Sequence, residues 1–403
     1  MQSFSSSSTF QSEDNSPRIA GVIAEYNPFH KGHQFHLEET RKAGADYIVV
    51  VMSTCFTQRG DMAILPVRDR VQMALEGGAD AVFALPVSWA LRDAEHFALG
   101  GVSLLDGLGC TMLSFGCETP DLMSLTRAAD LLEHPPEEMK VALHTFLQQG
   151  LSYPSALAKS ACLVCPEAFT ALSSPNNTLS VCYLRILQRL NSRMTPMCIL
   201  RKSGYLDSQI NTGSYSSATA IRAALSRGDW LSLSESLPET SMRILKKAAL
   251  EGHVMKPQAL DAAILCTLRT IPDDAWSHLT DQTEGLPVRV RKAVKNAVSI
   301  DDLLDKACTK RYTRARVTRL IMQAFLNLTD AVLPSAPPSQ ALLLGVRRDA
   351  ESLLHHLGPI TILGKASDLT EPWCQNEQRC WDLWAVGCHL PMGTFYTHGV
   401  IHV

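Results

Sequence analysis

The stretch that decides the fold is Ile19-Ala20-Gly21-Val22-Ile23-Ala24-Glu25, continued by Tyr26-Asn27-Pro28-Phe29-His30-Lys31-Gly32-His33. Its first part is a short apolar run that ends at an Asn-Pro turn, which is typical of a buried strand. Residues 32–42 follow with the pattern of a helix. The sequence therefore predicts a strand that passes through a polar loop into a helix, the first half of a βαβ unit.

Three further apolar runs alternate with helical segments after this stretch. The runs are residues 47–52, 81–86 and 111–116, and the helical segments are residues 67–76 and 94–105. This alternation predicts right-handed βαβ units and a parallel sheet that is covered on both faces. Ligands of such sheets bind at the carboxyl ends of the strands. We therefore expect a site built from residues 25–33, 53–61, 86–89 and 116–118.

The amino-acid composition and the spacing of apolar residues change after residue 222. Residues 226–330 are rich in Leu, Ala, Lys and Arg at helical spacing, and residues 342–354 and 378–386 have the pattern of further helices. A chain of 403 residues exceeds one typical domain. We expect a disordered Ser-rich tail of residues 1–16, a parallel-sheet domain of residues 17–225, and a mainly α-helical domain of residues 226–403.

Composition excludes some classes of protein. The net charge of −3 gives no global nucleic-acid signature, so a bound polyanion requires a local basic patch. Residues 1–16 lack the apolar core of a signal peptide, and no stretch approaches the roughly 20 apolar residues of a membrane helix. We expect a cytoplasmic protein. The twelve cysteines, including the Cys162–Cys165 pair with CxxC spacing, are expected to be buried free thiols.

The pattern His-x-Gly-His at His30, Gly32 and His33 points to phosphate chemistry. Two histidines on either side of a glycine can donate hydrogen bonds to a phosphate that gains charge in a pentavalent transition state. Gly32 permits close backbone approach, and the following helix N-terminus favours the same anion. His36 lies one turn later on the same face. This interpretation predicts an ATP site with attack on the α-phosphate; the alternative is ordinary surface histidines at a helix start.

Three other segments carry polar side chains that suit a phosphate site. Ser217 and Thr219 begin a helix that reaches Arg222 within two turns, and these residues can cap the helix and hold the β- and γ-phosphates. A simple N-cap is the alternative. The loop with Gln58, Arg59 and Asp61 is a possible acyl or phosphate contact, although a plain polar loop explains it equally well. Residues 175–177 form an Asx-rich turn, for which helix capping is the default explanation.

Basic residues cluster in the second half of the chain. Six Lys and Arg residues fall within residues 306–319 around one tyrosine, and a second cluster spans residues 289–295. In an acidic chain such clusters indicate contacts with a nucleic-acid backbone, whereas a solvated helix face is the alternative. The residues that we expect to contact RNA are Lys310, Arg311, Arg314 and Arg316.

Taken together, these ordered motifs resemble the tRNA(Met) cytidine acetate ligase family of the HxGH nucleotidyltransferase superfamily. The motifs are residues 25–33, 58–60, 85–86, 115–116, 175–177 and 217–222. The resemblance implies an α/β fold, with a Rossmann-like nucleotidyltransferase domain followed by a mainly helical tRNA-binding domain. It also implies a ligase that activates acetate as acetyl-adenylate, releases pyrophosphate, and transfers the acetyl group to the wobble cytidine of elongator tRNA(Met), forming N4-acetylcytidine. ATP is the co-substrate, and Mg²⁺ is inferred from ATP chemistry.

By motif, the resemblance assigns His30 and His33 to catalysis. It assigns the following residues to ATP binding: Ile23, Glu25, Tyr26, Asn27, Pro28, Phe29, Lys31, Gly32, His36, Gly116, Asn176, Arg201, Lys202, Ser217, Thr219 and Arg222. The chain departs from the family pattern at residues 52–56, where Gly and a polar residue usually precede the aromatic. It departs again at Asp61, where Glu is usual, and at Ala84, where an acid is usual.

Two other functions fit the residues. One is a different adenylyltransferase that activates another small acid or makes a cofactor, which needs the ATP site but not the basic clusters. The other is a non-catalytic nucleotide-sensing protein that binds RNA. Retention of both histidines argues against a sensor, because a sensor does not have to stabilise a pentavalent phosphate.

Overall fold

The computed structural model describes residues 16–118, 121–201, 216–281, 285–371, 374–395 and 398–403. The first fifteen residues of the expected tail lie outside these ranges, and so does Lys202. The strands are β1 (Ile19–Ala24), β2 (Tyr47–Ser53), β3 (Ala81–Leu85), β4 (Met112–Cys117), β5 (Thr195–Leu200), β6 (Gln340–Val346), β7 (Thr361–Leu363) and β8 (Ile401–His402).

The helices up to residue 226 are α1 (Lys31–Lys42), α2 (Val67–Glu76), α3 (Val87–Ala90), α4 (Ala94–Gly107), α5 (Leu122–Glu133), α6 (Glu137–Gln148), α7 (Tyr153–Val164), α8 (Pro166–Leu172), α9 (Pro175–Arg189) and α10 (Ala218–Ser226). The later ones are α11 (Trp230–Ser236), α12 (Glu239–Glu251), α13 (Asp261–Thr270), α14 (Leu286–Val294), α15 (Ile300–Ala307), α16 (Arg314–Phe325) and α17 (Cys374–Val386). Short 3₁₀ helices cover Ala275–His278, Arg348–His355 and Ala366–Asp368.

One sheet runs through the molecule in the order β5-β4-β1-β2-β3-β6-β7, with β8 paired to β6. The first five strands are parallel to one another. β6 is antiparallel to β3, whereas β7 and β8 are parallel to β6. The predicted α/β fold with a parallel sheet is therefore confirmed, and the carboxyl ends of β1, β2 and β4 lie at one edge of that sheet.

Alternating side chains of β2 show how the sheet is buried on both faces. Ile48, Val50 and Met52 pack into one apolar cluster, and Val49 and Val51 pack into the other. All five are fully buried. Because side chains alternate along a strand, such a run is expected only where helices cover both faces.

The region after residue 225 contains consecutive helices, but it also returns to the sheet. Residues 342–346, which we expected in a helix, form most of β6, and residues 348–355 form a 3₁₀ helix. An apolar run of Leu residues does not distinguish a buried strand from a buried helix, and here pairing with β3 decides the outcome. The expected helix at residues 378–386 lies within α17. The domain division at residue 225 stays a prediction.

The cysteines differ in part from the expectation of free thiols. β4 and β5 are parallel neighbours, and this pairing brings Cys117 and Cys198 together in a disulfide, with Cα atoms 6.1 Å apart. Cys162 and Cys165 are free, as expected. Among the described residues, no helix is long and apolar enough to cross a membrane.

Candidate active site

The site begins at the carboxyl end of β1, where the two motif histidines start α1. His30 is the N-cap residue, with φ −134° and ψ 171°. Its Nδ1 accepts a hydrogen bond from the backbone N–H of Gly32 at 3.1 Å, and Nδ1 of His33 accepts one from the backbone N–H of His30 at 3.3 Å. The two rings stack, with centroids 3.6 Å apart.

These backbone contacts fix the proton positions on both rings. A neutral imidazole whose Nδ1 accepts a hydrogen bond carries its proton on Nε2. Each histidine therefore has an Nε2–H group that is not used by its cap and can donate to a ligand. This pair of parallel donors at a helix N-terminus is suited to the oxygens of a phosphate.

Burial favours the neutral form of both rings. Burial lowers the pKa of His30 to about 3, with smaller effects from the positive charges of Arg201 and Arg222. Burial also lowers the pKa of His33 well below its usual value, followed by the charges of His30 and Arg201. Two arginines close enough to depress these pKa values mark a site of positive potential, which attracts a polyanion.

His36 is held by a network inside the protein. Its Nε2 lies 3.0 Å from Oγ of Ser114 on β4, and Ser114 lies 2.6 Å from Oγ1 of Thr40. Burial lowers the pKa of His36 to about 4. In this structure His36 joins α1 to β4, so its expected role in ATP binding stays a prediction.

The loop between β1 and α1 is anchored by its own residues. Asn27 is buried, and its Oδ1 accepts a 2.8 Å hydrogen bond from the backbone N–H of Ile64. Phe29 is fully buried against Gly77, and Ile23 packs on Gly101. Pro28 follows Asn27 in the same turn. These side chains support the loop, and their expected contacts with ATP stay predictions.

Tyr26 is buried beside the two motif histidines. Its ring centroid lies 4.7 Å from that of His33 and 4.9 Å from that of Phe29. Its backbone has φ 43°, in the left-handed region. The Tyr26 ring therefore forms one wall against the imidazole of His33.

The carboxyl end of β4 gives the site a second wall. A Cβ atom on Gly116 would lie 3.1 Å from Cγ of Arg201, so the glycine makes room for that arginine at the strand end. Nδ2 of Asn176 donates to Oε1 of Glu118 at 2.7 Å, and the backbone N–H of Glu118 donates to Oδ1 of Asn177. The N-terminus of α9 is thereby tied to the β4 end.

Helix α10 brings a distant arginine to the same place. Nη1 of Arg222 donates to the backbone carbonyl of Asn27 at 3.0 Å, and Nη2 donates to Oγ1 of Thr219 at 3.3 Å. Arg222 also lies 3.8 Å from Asp61. Ser217 caps α10 by accepting from the backbone N–H of Ala220, as the simple N-cap alternative expects.

The loop after β2 contacts Glu25, the residue that ends the fold-deciding run. The backbone N–H of Gln58 donates to Oε1 of Glu25 at 2.7 Å, and Nε2 of Gln58 donates to the carbonyl of Arg92. Burial raises the pKa of Glu25, against the lowering effect of the Gln58 hydrogen bond. The backbone hydrogen bond from Gln58 thus fixes the Glu25 carboxylate to the loop after β2. Arg59, the next residue in that loop, is partly exposed.

Arg70, a fully buried arginine on α2, lies near the site although no sequence pattern predicts it there. Its Nη1 donates to the carbonyls of Glu25 at 2.7 Å and Ser53 at 3.0 Å, and its Nε donates to that of Leu65. Burial lowers its pKa to about 10. Arg70 therefore ties the ends of β1 and β2 together beneath the site.

Glu377 on α17 is a second buried charged residue near the site that no sequence pattern predicts. Its carboxylate accepts hydrogen bonds from Oγ1 of Thr54 at 2.9 Å, the backbone N–H of Val87 at 2.6 Å and Nε1 of Trp381 at 2.8 Å. Burial raises its pKa to about 7. Thr54 follows β2 and Val87 follows β3, so a residue near the end of the chain holds two strand ends in place.

The expected RNA-contact residues differ in how they are held. Arg316 donates to both carboxylate oxygens of Asp281 at 2.6 and 2.8 Å and is only 14% exposed. Arg314 is exposed and lies 2.7 Å from Asp301. Lys310 is exposed, and Arg311 is partly exposed. The same segment continues into α16, whose Thr318 packs against Gly60 of the loop after β2.

Comparison with known proteins gives matches over most of the chain. A family model described as HIGH Nucleotidyl Transferase matches residues 18–382. The tRNA(Met) cytidine acetate ligase of Acetivibrio thermocellus is 35% identical over 374 residues, which cover 87% of this chain and 89% of that protein. The protein of the same name from Thermoanaerobacter sp. strain X514 is 32% identical over 377 residues, which cover 91% and 93%.

Two crystal structures of Thermotoga maritima TmcAL share the fold. The form bound with alpha-thio ATP aligns with a TM-score of 0.85 and 27% identity, over 96% of this chain and 100% of that one. The apo form aligns with a TM-score of 0.88 at the same identity and coverage.

Proposed function

The chain belongs to the HIGH nucleotidyltransferases and, among them, to the tRNA(Met) cytidine acetate ligase family, and from this membership we propose that it acetylates the wobble cytidine of elongator tRNA(Met) with ATP and acetate. The observation that carries the proposal is the stacked pair His30 and His33. The backbone hydrogen bonds at the helix start occupy Nδ1 of each ring, so both Nε2–H groups can donate to a ligand. The positive charges of Arg201 and Arg222 act on the same site.

In the first step, a carboxylate oxygen of acetate attacks the α-phosphorus of ATP. The bond to the oxygen that bridges the α- and β-phosphorus atoms breaks, which yields acetyl-adenylate and pyrophosphate. The Nε2–H groups of the two histidines donate to oxygens that gain negative charge in the transition state. Arg222, with Ser217 and Thr219 at the start of its helix, is proposed to hold the leaving phosphates.

In the second step, the exocyclic amine of the cytidine attacks the acetyl carbon. The carbon–oxygen bond to AMP breaks, AMP leaves, and the new amide forms after the nitrogen loses a proton. Glu25, Gln58, Arg59 and Asp61 lie on the side of the site where β2 ends, and we propose that they border the acetyl group. Two of the departures of this chain from the family pattern, residues 52–56 and Asp61, fall at the end of β2 and in this loop, whereas the third, Ala84, lies in β3.

The residues fit a magnesium ion that is held mainly by the triphosphate. Within the described part of the chain, no group of three or more His, Cys, Asp and Glu residues is arranged to hold a metal ion. Oε1 of Glu25 and Oε1 of Glu118 each already accept a hydrogen bond from the protein. Mg²⁺ bound to phosphate oxygens and its own waters would neutralise charge on the leaving group.

The tRNA is proposed to lie on residues 226–403, and Lys310, Arg311, Arg314 and Arg316 are the first contacts to test. Residues 17–225 are then the ATP-binding domain. A substrate of this kind places the enzyme in the cytoplasm. Of the four basic residues, Lys310 and Arg314 present exposed side chains, which is what contact with a phosphate backbone requires.

Incubation of the full-length chain with ATP, acetate and a tRNA(Met) transcript tests the proposal. Mass analysis of digested tRNA should find one acetyl group on the anticodon cytidine, with equal amounts of AMP and pyrophosphate released. Reactions without acetate, or with uridine at the wobble position, are the controls. Pyrophosphate exchange driven by another acid but not by acetate would favour the other adenylyltransferase, and ATP binding without exchange would favour a sensor.

A further inference from the structure

An open groove lies between the start of α1 and helices α11 and α12. We propose that this groove, called here the α12 groove, binds the sugar-phosphate backbone of the tRNA anticodon loop beside the reacting adenylate. The inference rests on the proposed function and goes beyond it, because it assigns an RNA surface outside residues 310–316. Four observations support it.

The first observation is charge. The cationic side chains that line the groove are Lys31, Arg243, Lys246 and Lys247, and Glu239 is the carboxylate among the lining residues. Arg243 is paired with Glu76 at 3.0 Å, which leaves the three lysines as the main source of positive charge. A local excess of cations in a chain of net charge −3 is complementary to phosphate.

The second observation is the availability of those cations. Lys246 is exposed and forms no ion pair with any described residue. Lys247 is 75% exposed, and its nearest carboxylate oxygen, on Glu251, is 3.9 Å away. By contrast, Arg316 of the segment 310–316 is half-buried and held in a bidentate pair with Asp281. Neighbouring carboxylates therefore neutralise Lys246 and Lys247 less than they neutralise Arg316, so the two lysines are more available to bind RNA phosphates.

The third observation is an apolar surface between the charges. Leu237 and Met242 line the groove, and Leu250 lines it with 89% of its surface exposed. Trp230 is 38% exposed and lies one helical turn before Ser234, which also lines the groove, so the two share a face of α11. Unpaired bases of RNA loops stack on aromatic side chains, and Trp230 is the aromatic residue of α11 that can serve in this way.

The fourth observation is continuity with the catalytic loop. Lys31 lines the groove and also stands between His30 and Gly32 in the HxGH motif. Its Nζ donates to the backbone carbonyl of Glu235 at 2.6 Å, which fastens the start of α1 to α11. A cytidine whose amine reaches the adenylate at the histidines must have its neighbouring nucleotides close by. The α12 groove starts at Lys31, the residue next to His30, so it is one path that those nucleotides can follow.

The test compares two double variants of the full-length chain. K246A/K247A removes the two α12 lysines, and K140A/K159A, which removes exposed lysines of α6 and α7, is the matched control. The dissociation constant for tRNA(Met) is measured by fluorescence anisotropy over a range of salt concentrations. Acetate-dependent ATP–pyrophosphate exchange without tRNA reports on the nucleotide site.

We expect K246A/K247A to bind tRNA about tenfold more weakly and to lower the salt slope by about 1.5, because each lost phosphate contact on a single strand removes about 0.7. The control should match the wild type, and exchange should be retained in both. W230A should weaken binding without changing the salt slope. Wild-type affinity and slope in K246A/K247A would overturn the proposal, and so would loss of tRNA-independent exchange, which would place the lysines in the nucleotide site.

An experiment on the wild type distinguishes failure of the proposed function from failure of the α12-groove proposal. A wild-type chain that leaves tRNA unacetylated with ATP and acetate refutes that function. If its tRNA affinity still depends on Lys246 and Lys247, the α12 groove remains an RNA-binding surface.

Discussion

Arg222 donates a 3.0 Å hydrogen bond to the backbone carbonyl of Asn27, although 195 positions separate them in the sequence. The contact places a guanidinium from α10 against the loop that leads into His30 and His33. It also explains why Arg222 contributes to the low pKa of His30.

Replacement of this arginine should impair use of ATP. We expect R222A to lower kcat/KM for ATP in pyrophosphate exchange by about 100-fold, because one preorganised donor to a phosphate contributes that much. R222K should fall between, since it keeps the charge but loses the planar fork. R227A, on the exposed end of the same helix, is the control. Wild-type kinetics in R222A would show that the hydrogen bond between Arg222 and Asn27 has only a structural role.

The roles of the two nitrogen atoms of the His33 ring, Nδ1 and Nε2, can be tested separately. Asn can accept the hydrogen bond that Nδ1 receives from His30 but has nothing in place of Nε2–H, whereas Gln can place an amide donor near the Nε2 position. We expect H33N to lose adenylate formation by about 1000-fold and H33Q to keep a larger fraction. Stopped-flow or exchange assays, with tRNA binding measured alongside, check this. Equal activities in H33N and H33Q would contradict donation from Nε2.

The neutral state of His30 has a consequence for stability. Its pKa falls from about 6.5 in the unfolded chain to about 3 in the folded one, so acid protonates the unfolded state first. Stability from this group is therefore present above about pH 6.5 and is lost as pH falls. Between about pH 7.5 and 5.5 the loss amounts to about 1.4 kcal/mol.

The variant H30N checks this pH dependence, because Asn is a good N-cap and does not titrate in this range. Urea unfolding at both pH values should show a smaller acid-induced loss in H30N than in the wild type, by about the amount given above. Identical losses in the two proteins would mean that His30 is not buried as a neutral group in solution.

Much of the nucleotide site follows from local sequence patterns. The apolar runs predict β1 to β4, and the HxGH spacing predicts that two histidines and a glycine begin α1, because strand, turn and helix signals are all local. Ser217 to Arg222 also begin a helix, as expected. That this helix meets Asn27 does not follow from any local pattern.

The features that escaped prediction depend on contacts between distant segments. Arg70 lies in a helix whose charges look solvent-exposed by spacing alone, and only the packing of α2 under β1 and β2 buries it. Glu377 is hidden for the same reason. β6 has the composition of a buried helix, and the bond between Cys117 and Cys198 joins residues 81 positions apart. Sequence periodicity reports which face is apolar, not what will cover the polar one.

The basic residues before and in α16 should separate into two classes. R316A should lower the free energy of unfolding by about 2 kcal/mol, because it leaves Asp281 without its bidentate partner in a mostly buried position. R314A should leave stability nearly unchanged and reduce the salt dependence of tRNA binding, and R311A should do the same. Urea unfolding and binding over a salt series distinguish the classes. An unchanged slope in R314A and R311A would assign both residues to a solvated face.

Glu377 predicts a pH dependence of the opposite sign. Its folded pKa is about 7, above the ordinary value of 4.5, so between these values the folded chain binds more protons than the unfolded chain. Stability from the buried neutral acid is therefore full below about pH 4.5 and is lost as pH rises through 7. The groups that face the carboxyl are donors on three elements, Thr54, the Val87 N–H and Trp381, together with the thiols of Cys55 and Cys380.

The variant E377Q removes this titration while keeping the size of the side chain. Its amide oxygen can still accept from Thr54 or Val87, so the fold should survive with some loss of stability at low pH. The stability of E377Q relative to the wild type should then improve by about 2 kcal/mol between about pH 5 and pH 8. Urea unfolding across this range measures it. Parallel curves for the two proteins would show that the three hydrogen bonds keep Glu377 ionised throughout, so that burial does not govern its pKa.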